Sequence, residues 1–441
     1  MKNNIKKPLV SKKLLFPFII ITSLFALWGI ANDLTNPMVS AFKKVMPELS
    51  NVQASLVQFA FYFGYFFMAL PAALFIRKYS YKSGIILGLL LYATGAFLFY
   101  PAAIFEEYNF FLLSLWVITC GLAFLETTAN PLILSLGDNE TSTRRLNLAQ
   151  AFNPIGSLAG MIIAQVFVIS ALRSDDYNVE AYNALSGPEL QSIRENDLAI
   201  ISIPYLGLGV LVLFIMTIII FTKIPNTQHE EKISLSNSFK KLFNNRNYIY
   251  GVIAQAFNVG CQIMCWTYIF QYVDNLNESL GSNLVATNFN ITAMISFLSG
   301  RWIGTALMKR INPSKMLMYF GLGGILCSLG AIILPGLIGL ISLVGISTFM
   351  SIMFPTIYGI SLKGMGEESK IGSAGLVMAI VGGALMPVAQ GWILDWGGDG
   401  LDDLEIFGYI PEIRFSFILP LICLSVVSYY GFLTIKTHTS K

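Results

Sequence analysis

GIILGLLLYATGAFLFYPAA, residues 84–103, runs without a single charged side chain. At 1.5 Å per residue such a helix is about 30 Å long, the thickness of the hydrocarbon layer of a bilayer. Lys82 lies just before it and Glu106 with Glu107 just after, so the stretch is bounded by charge as a membrane-spanning helix should be. The same reading, worked outward, yields spans at 14–41, 52–76, 84–103, 109–136, 147–172, 199–222, 248–273, 284–308, 315–335, 337–362, 371–395 and 412–435. Across 441 residues, 55% are hydrophobic and 12% charged, with mean hydropathy +0.66, more apolar surface than one water-soluble core could hide. The formal charge of +3 is spread thinly, and no basic stripe with interleaved aromatics points to nucleic acid.

Lys and Arg set the orientation. Of the 28 basic residues, about 22 fall on the face shared by the N-terminus and about five on the other. Both termini are therefore expected on the cytoplasmic side of the membrane, with the basic run MKNNIKKPLVSKK as a tail rather than a signal peptide. The longest cytoplasmic connection divides the spans six and six. The expected organisation is a tail at 1–13, a six-helix bundle at 14–222, a linker at 223–247, a second bundle at 248–435 and a tail at 436–441. The insert at 173–198 on the opposite face is polar and reads as a solvated loop, with a short surface helix as the alternative. The expected class is an all-α membrane protein with a ligand site near the bilayer midplane.

Ionisable groups in hydrocarbon cost at least about 2.5 kcal/mol each near a helix centre, so they mark function. Asp33, Glu126 and Arg301 are the three in span interiors. Asp33 lies in ANDLTNP with Asn36 at i+3 and Pro37 next, and Glu126 lies in LETTANP with Asn130 at i+4 and Pro131 next. Each thus combines an acid, an amide and a helix break. A carboxyl group in such surroundings can carry a proton in one state and release it in another. Arg301 is read either as a gating ion pair or as an interfacial anchor that snorkels. His229 and His438 lie outside the spans, which excludes a histidine relay.

Amides supply the ligand chemistry. Asn147, Gln150 and Asn153 are spaced by threes in RRLNLAQAFNPIG, and Asn258, Gln262 and Trp266 by fours in the seventh span. Amides bind hydroxyls and an indole face takes the apolar face of a sugar, although interhelical bonding accounts equally well for any one amide. Tyr62, Tyr65 and Tyr358 could add polar tips, although a lone membrane tyrosine is usually there for packing. The five cysteines sit in apolar segments as small hydrophobes, with no metal site and no cofactor implied.

FALWGIANDLTNP (25–37), the run from Gln58 to Ala103, GLAFLETTANPL (121–132), RRLNLAQAFNPIG (144–156) and the run from Met350 to Gly383 closely resemble the L-fucose:proton symporter family of the major facilitator superfamily, which includes bacterial glucose/galactose transporters. The resemblance covers nearly the whole chain. It implies a proton-coupled monosaccharide importer working by alternating access in a bacterial inner membrane; the partners expected are the sugar, the coupling ion and the lipid bilayer, with the chain as a monomer. Glu126 matches the family's fourth-helix acid, and Gln150 with Asn153 its fifth-helix polar pair. The first helix departs from the family: Asn36 stands where an acid is usual, and the acid is at Asp33. The exchange moves the charge about 5 Å along one helix face, so Asp33 is expected to take over the coupling role. It also leaves sodium open, through a cage of Asp33, Asn36 and a carbonyl freed by Pro37. The site residues expected are Asp33 and Glu126 for the cation; Asn36, Asn130, Gln150, Asn153, Asn258, Gln262, Trp266 and Tyr358 for the sugar; and Arg301 for gating. A multidrug exporter shares the architecture but not the amide clusters, and a non-transporting sugar sensor needs no paired acids. A membrane enzyme lacks a nucleophile with its base.

Overall fold

A computed structural model describes residues 8–35, 38–46, 48–49, 51–177, 181–182, 185–224, 235–394, 405–406 and 410–439. Among them, eleven helical stretches are long and apolar enough to cross a membrane. The remaining span expected from the sequence is also a helix, Ala286–Leu307, whose hydropathy is lowered by Asn288, Asn290 and Arg301.

The helices are α1 (Leu15–Thr35), α2 (Met38–Val45), α3 (Asn51–Lys78), α4 (Tyr81–Phe105), α5 (Tyr108–Ser135), α6 (Ser142–Gln150), α7 (Asn153–Ile163) and α8 (Gly187–Phe221). After the linker helix α9 (Leu235–Asn244) come α10 (Arg246–Leu280), α11 (Ala286–Leu307), α12 (Pro313–Ile333), α13 (Gly336–Met350) and α14 (Met353–Ser361). The chain ends with α15 (Glu368–Met378), α16 (Gly382–Leu394), a two-residue hairpin of β1 (Glu405–Ile406) and β2 (Ile410–Pro411), α17 (Glu412–Phe415) and α18 (Ile418–Thr439).

Several spans are broken in the middle. The fifth is split at Ala151–Phe152 between α6 and α7, and the tenth at Ser351–Ile352 between α13 and α14. Proline accounts for both. Pro154 and Pro355 have no N–H to return to the carbonyl four residues back, which frees Gln150 O and Ser351 O.

Contacts gather the chain into two compact units. The first comprises Lys12–Leu132 and Phe152–His229. Within it α1 packs along α7 and α4 along α8. The α1 and α7 backbones meet at Gly156, where any Cβ would collide with Ala26 O. Lys82 donates to Ile220 O (2.7 Å) and Thr222 O (2.9 Å), placing a cation on the C-terminal end of α8.

In the insert at 173–198 the loop reading does not hold. Helix α8 begins at Gly187, well before the expected start at 199, and Arg173–Asp176 forms a 3-10 turn. Buried Asp197 accepts the N–H groups of Arg173 (3.0 Å) and Ser174 (2.8 Å), and Arg194 pairs with Glu48 at 2.7 Å. Polar composition suggested solvation; these polar groups instead bind one another.

The second unit comprises Met1–Ser11, Ile133–Ala151 and Glu230–Lys441. Here α10 packs on α16 and α18, α12 on α13 and α18, and α6 on α14 and α11. Linker helix α9 is tied to α15 by Lys241 and Glu368 at 2.6 Å. Arg145, fully buried, donates to Ile133 O (2.7 Å) and Leu134 O (2.5 Å) in the last turn of α5 and to Leu9 O (3.1 Å).

Candidate functional site

The acids belong to the first unit. Asp33 is buried in the last turn of α1. Beside it, Thr35 Oγ1 donates to Ala31 O at 2.8 Å and lies 3.3 Å from Tyr205 Oη. Asn36 lies outside the described residues. Glu126 sits at mid-length in α5, partly buried, and its Oε2 has no hydrogen-bond partner among the described residues. Two tyrosines one turn apart on α3 lie near the acids, Tyr62 near Asp33 and Tyr65 near Glu126. Tyr65 Oη is itself buried without a hydrogen-bond partner among the described residues. Asn130 donates its amide to Glu126 O at 3.0 Å, one turn back on its own helix. Asn153 donates to Phe25 O at 3.2 Å, which joins α7 to α1.

The amide cluster of the fifth span is divided by the break. Asn147, Gln150 and Asn153 do not share one continuous helical face, because α6 stops at Gln150 and α7 starts at Asn153. Asn147 lies in the second unit and donates to Thr143 O (2.9 Å) and Thr356 Oγ1 (3.1 Å).

In the seventh span the expected stripe forms. Asn258 is fully buried, Gln262 is 9% exposed, and Gln262 Nε2 donates to Asn258 Oδ1 at 3.3 Å. Trp266, one turn on, donates from its indole to Ser347 Oγ at 3.2 Å and meets Phe297 edge to face. Tyr358 is fully buried on α14. Sequence reasoning missed Gln255. It is fully buried, and neither its Nε2 nor its Oε1 has a hydrogen-bond partner among the described residues. Its signal was present: it stands seven residues before Gln262, within about 20° on the helix.

Arg301 is no interfacial anchor. Its side chain is 3% exposed, its Nε donates to Ser351 O at 2.5 Å, and its Nη1 donates to Gln150 O at 2.8 Å. The guanidinium lies over the Phe297 ring, 4.6 Å from its centre. These hydrogen-bond acceptors are main-chain carbonyls, where the ion-pair reading expected a carboxylate.

The chain is thus helical with broken spans, and its acids lie within helices: Glu126 is not at a helix break, because α5 runs on through Pro131. The model of the Major Facilitator Superfamily matches residues 14–387. The chain belongs to that superfamily. It is 54% identical to the L-fucose-proton symporter of Haemophilus influenzae over 428 residues, 96% of this chain and 97% of that one. It is 34% identical to the L-fucose-proton symporter of Escherichia coli over 435 residues, 98% of this chain and 95% of that one. Among solved structures, it is similar to a crystal structure of the E. coli fucose:proton symporter, with TM-score 0.84 and 32% identity, covering 96% of this chain and 99% of the other. The fold is therefore that of the superfamily's twelve-helix transporters, and the curated relatives are transporters rather than enzymes.

Proposed function

We infer that this protein is a proton-coupled monosaccharide symporter that imports L-fucose by alternating access. The observation that carries the reading is a pair of acids inside membrane spans, Asp33 and Glu126, on a chain similar over almost its full length to L-fucose-proton symporters. The two acids take up and release the coupling proton. A carboxyl group in a low-dielectric span is held neutral by its proton, and exposure to water on the far side favours its loss. Gln150, Asn258 and Gln262 bind sugar hydroxyls and Trp266 stacks on the apolar sugar face. Asn36, Asn130, Asn153 and Tyr358 are the further candidates for contact with the sugar. The chain works as two six-span bundles, 14–222 and 248–435, joined by the linker 223–247. It acts as a monomer in the cytoplasmic membrane with tails 1–13 and 436–441 inside the cell.

A competition assay tests the sugar. Purified full-length protein in proteoliposomes is expected to take up labelled L-fucose, with unlabelled L-fucose displacing it at lower concentration than D-galactose or D-glucose. Preferential uptake of glucose or galactose would overturn the assignment to fucose.

A further inference from the structure

Pro154 frees the carbonyl of Gln150 and Pro355 frees that of Ser351, four residues back in each case. Both carbonyls lie at mid-span breaks. The Arg301 side chain satisfies both together, through Nη1 and Nε. A guanidinium suits this task because its donors form a rigid planar fork and its charge strengthens each bond.

The two bonds differ in kind. Arg301 and Ser351 both belong to the second six spans, whereas Gln150 ends a segment of the fifth span. That segment makes two further contacts with α14. Asn147 Nδ2 donates to Thr356 Oγ1 at 3.1 Å, and Thr143 lies so close to Gly359 that a Cβ there would come within 2.7 Å of Thr143 Oγ1. Alternating access requires one face of the first six spans to part from the second six. The bond to Gln150 O is then broken, while the bond to Ser351 O stays within the second six.

We propose that Arg301 is a latch and a positioning residue. It holds the fifth-span break against the tenth-span break in the described conformation and lets go of Gln150 O when the transporter opens on that side. The gate thus closes on a backbone carbonyl exposed by a proline rather than on an acidic side chain. The proposal rests on the transporter reading above and deepens it.

The test reads accessibility and needs no sugar. Thr143 is buried beneath the closed contact, so Thr143→Cys in full-length protein in micelles should react slowly with a hydrophilic maleimide, read at its own peptide by mass spectrometry. Adding Arg301→Met should speed the reaction about tenfold or more, because a charge-assisted bond that favours the closed contact is gone. Arg301→Lys keeps one donor arm and should fall between the two; it also serves should the Met variant fail to fold. Pro154→Ala supplies the missing N–H to Gln150 O, so in that background Arg301→Met should change labelling less than about threefold. Pro355→Ala repairs the other carbonyl and should give no such relief. Unchanged labelling in both Arg301 variants, or equal relief from the two proline variants, would overturn the latch. A tenfold labelling change in a protein that moves no sugar would count against the symporter reading alone.

Discussion

Gln255→Leu puts a number on an amide that the described conformation leaves unsatisfied. The side chain is fully buried on α10, with neither amide atom hydrogen-bonded to any described residue. Burying such an amide costs about 1–3 kcal/mol on the scale of protein mutations, and leucine fills nearly the same volume without that cost. The variant should therefore stabilise the described conformation by about 1–3 kcal/mol, a shift of about five- to 150-fold in its equilibrium with an open one. Exposure along α10 falls from half-buried Trp266 through Gln262 to fully buried Asn258 and Gln255. Gln255 stands about 10 Å nearer the linker than Gln262, where opening on that side would bring water or a sugar hydroxyl to it. The expected pattern is a thermal midpoint raised by about 2–4 °C in detergent together with a turnover lowered at least fivefold, since stability is gained by the state that must open. A lowered midpoint would refute the reasoning, because it would mean the amide is already well bonded in the closed state.

Replacing Glu126 with Gln should abolish sugar-driven alkalinisation of the medium while exchange of labelled sugar across the membrane persists; undiminished proton uptake would remove Glu126 from coupling. Asp33→Asn should end concentrative uptake but leave downhill entry, and accumulation at the normal level would show that the displaced first-helix acid does not couple. Trp266→Leu should raise the KM for sugar about tenfold with little change in thermal midpoint, and an unchanged KM would take the indole out of the site. Gly156→Ala forces a methyl group onto Ala26 O and should cost about 1–3 kcal/mol of stability, read as a lower midpoint and a smaller yield of folded protein.

The spans were legible because a bilayer imposes one demand on every residue that crosses it. Even α11, with Arg301 and two asparagines lowering its hydropathy, lies where its charged and polar flanks set its ends. The acids were legible for the same reason. What a one-dimensional pattern conceals is the use each polar group makes of its neighbours. Asn147, Gln150 and Asn153 look like one face only if the helix runs on, and Pro154 stops it. Its loss of an N–H could be read from the sequence, but the donor that replaces it, Arg301, lies 151 residues away. Polarity in the insert at 173–198 was likewise visible, but the bonds from Asp197 and Arg194 that turn a loop into structure are long-range pairings. Gln255 escaped notice because an isolated glutamine near a helix start resembles an interfacial residue until its burial is known.

Flux under imposed gradients tests most directly whether protons drive the cargo. Proteoliposomes holding the intact protein would be given labelled L-fucose with an inward proton gradient, an inward sodium gradient, or neither, while external pH is followed. Accumulation above equilibrium with the proton gradient alone, accompanied by alkalinisation that vanishes in Glu126→Gln, is the outcome this account requires. Accumulation driven by sodium at constant pH would contradict it.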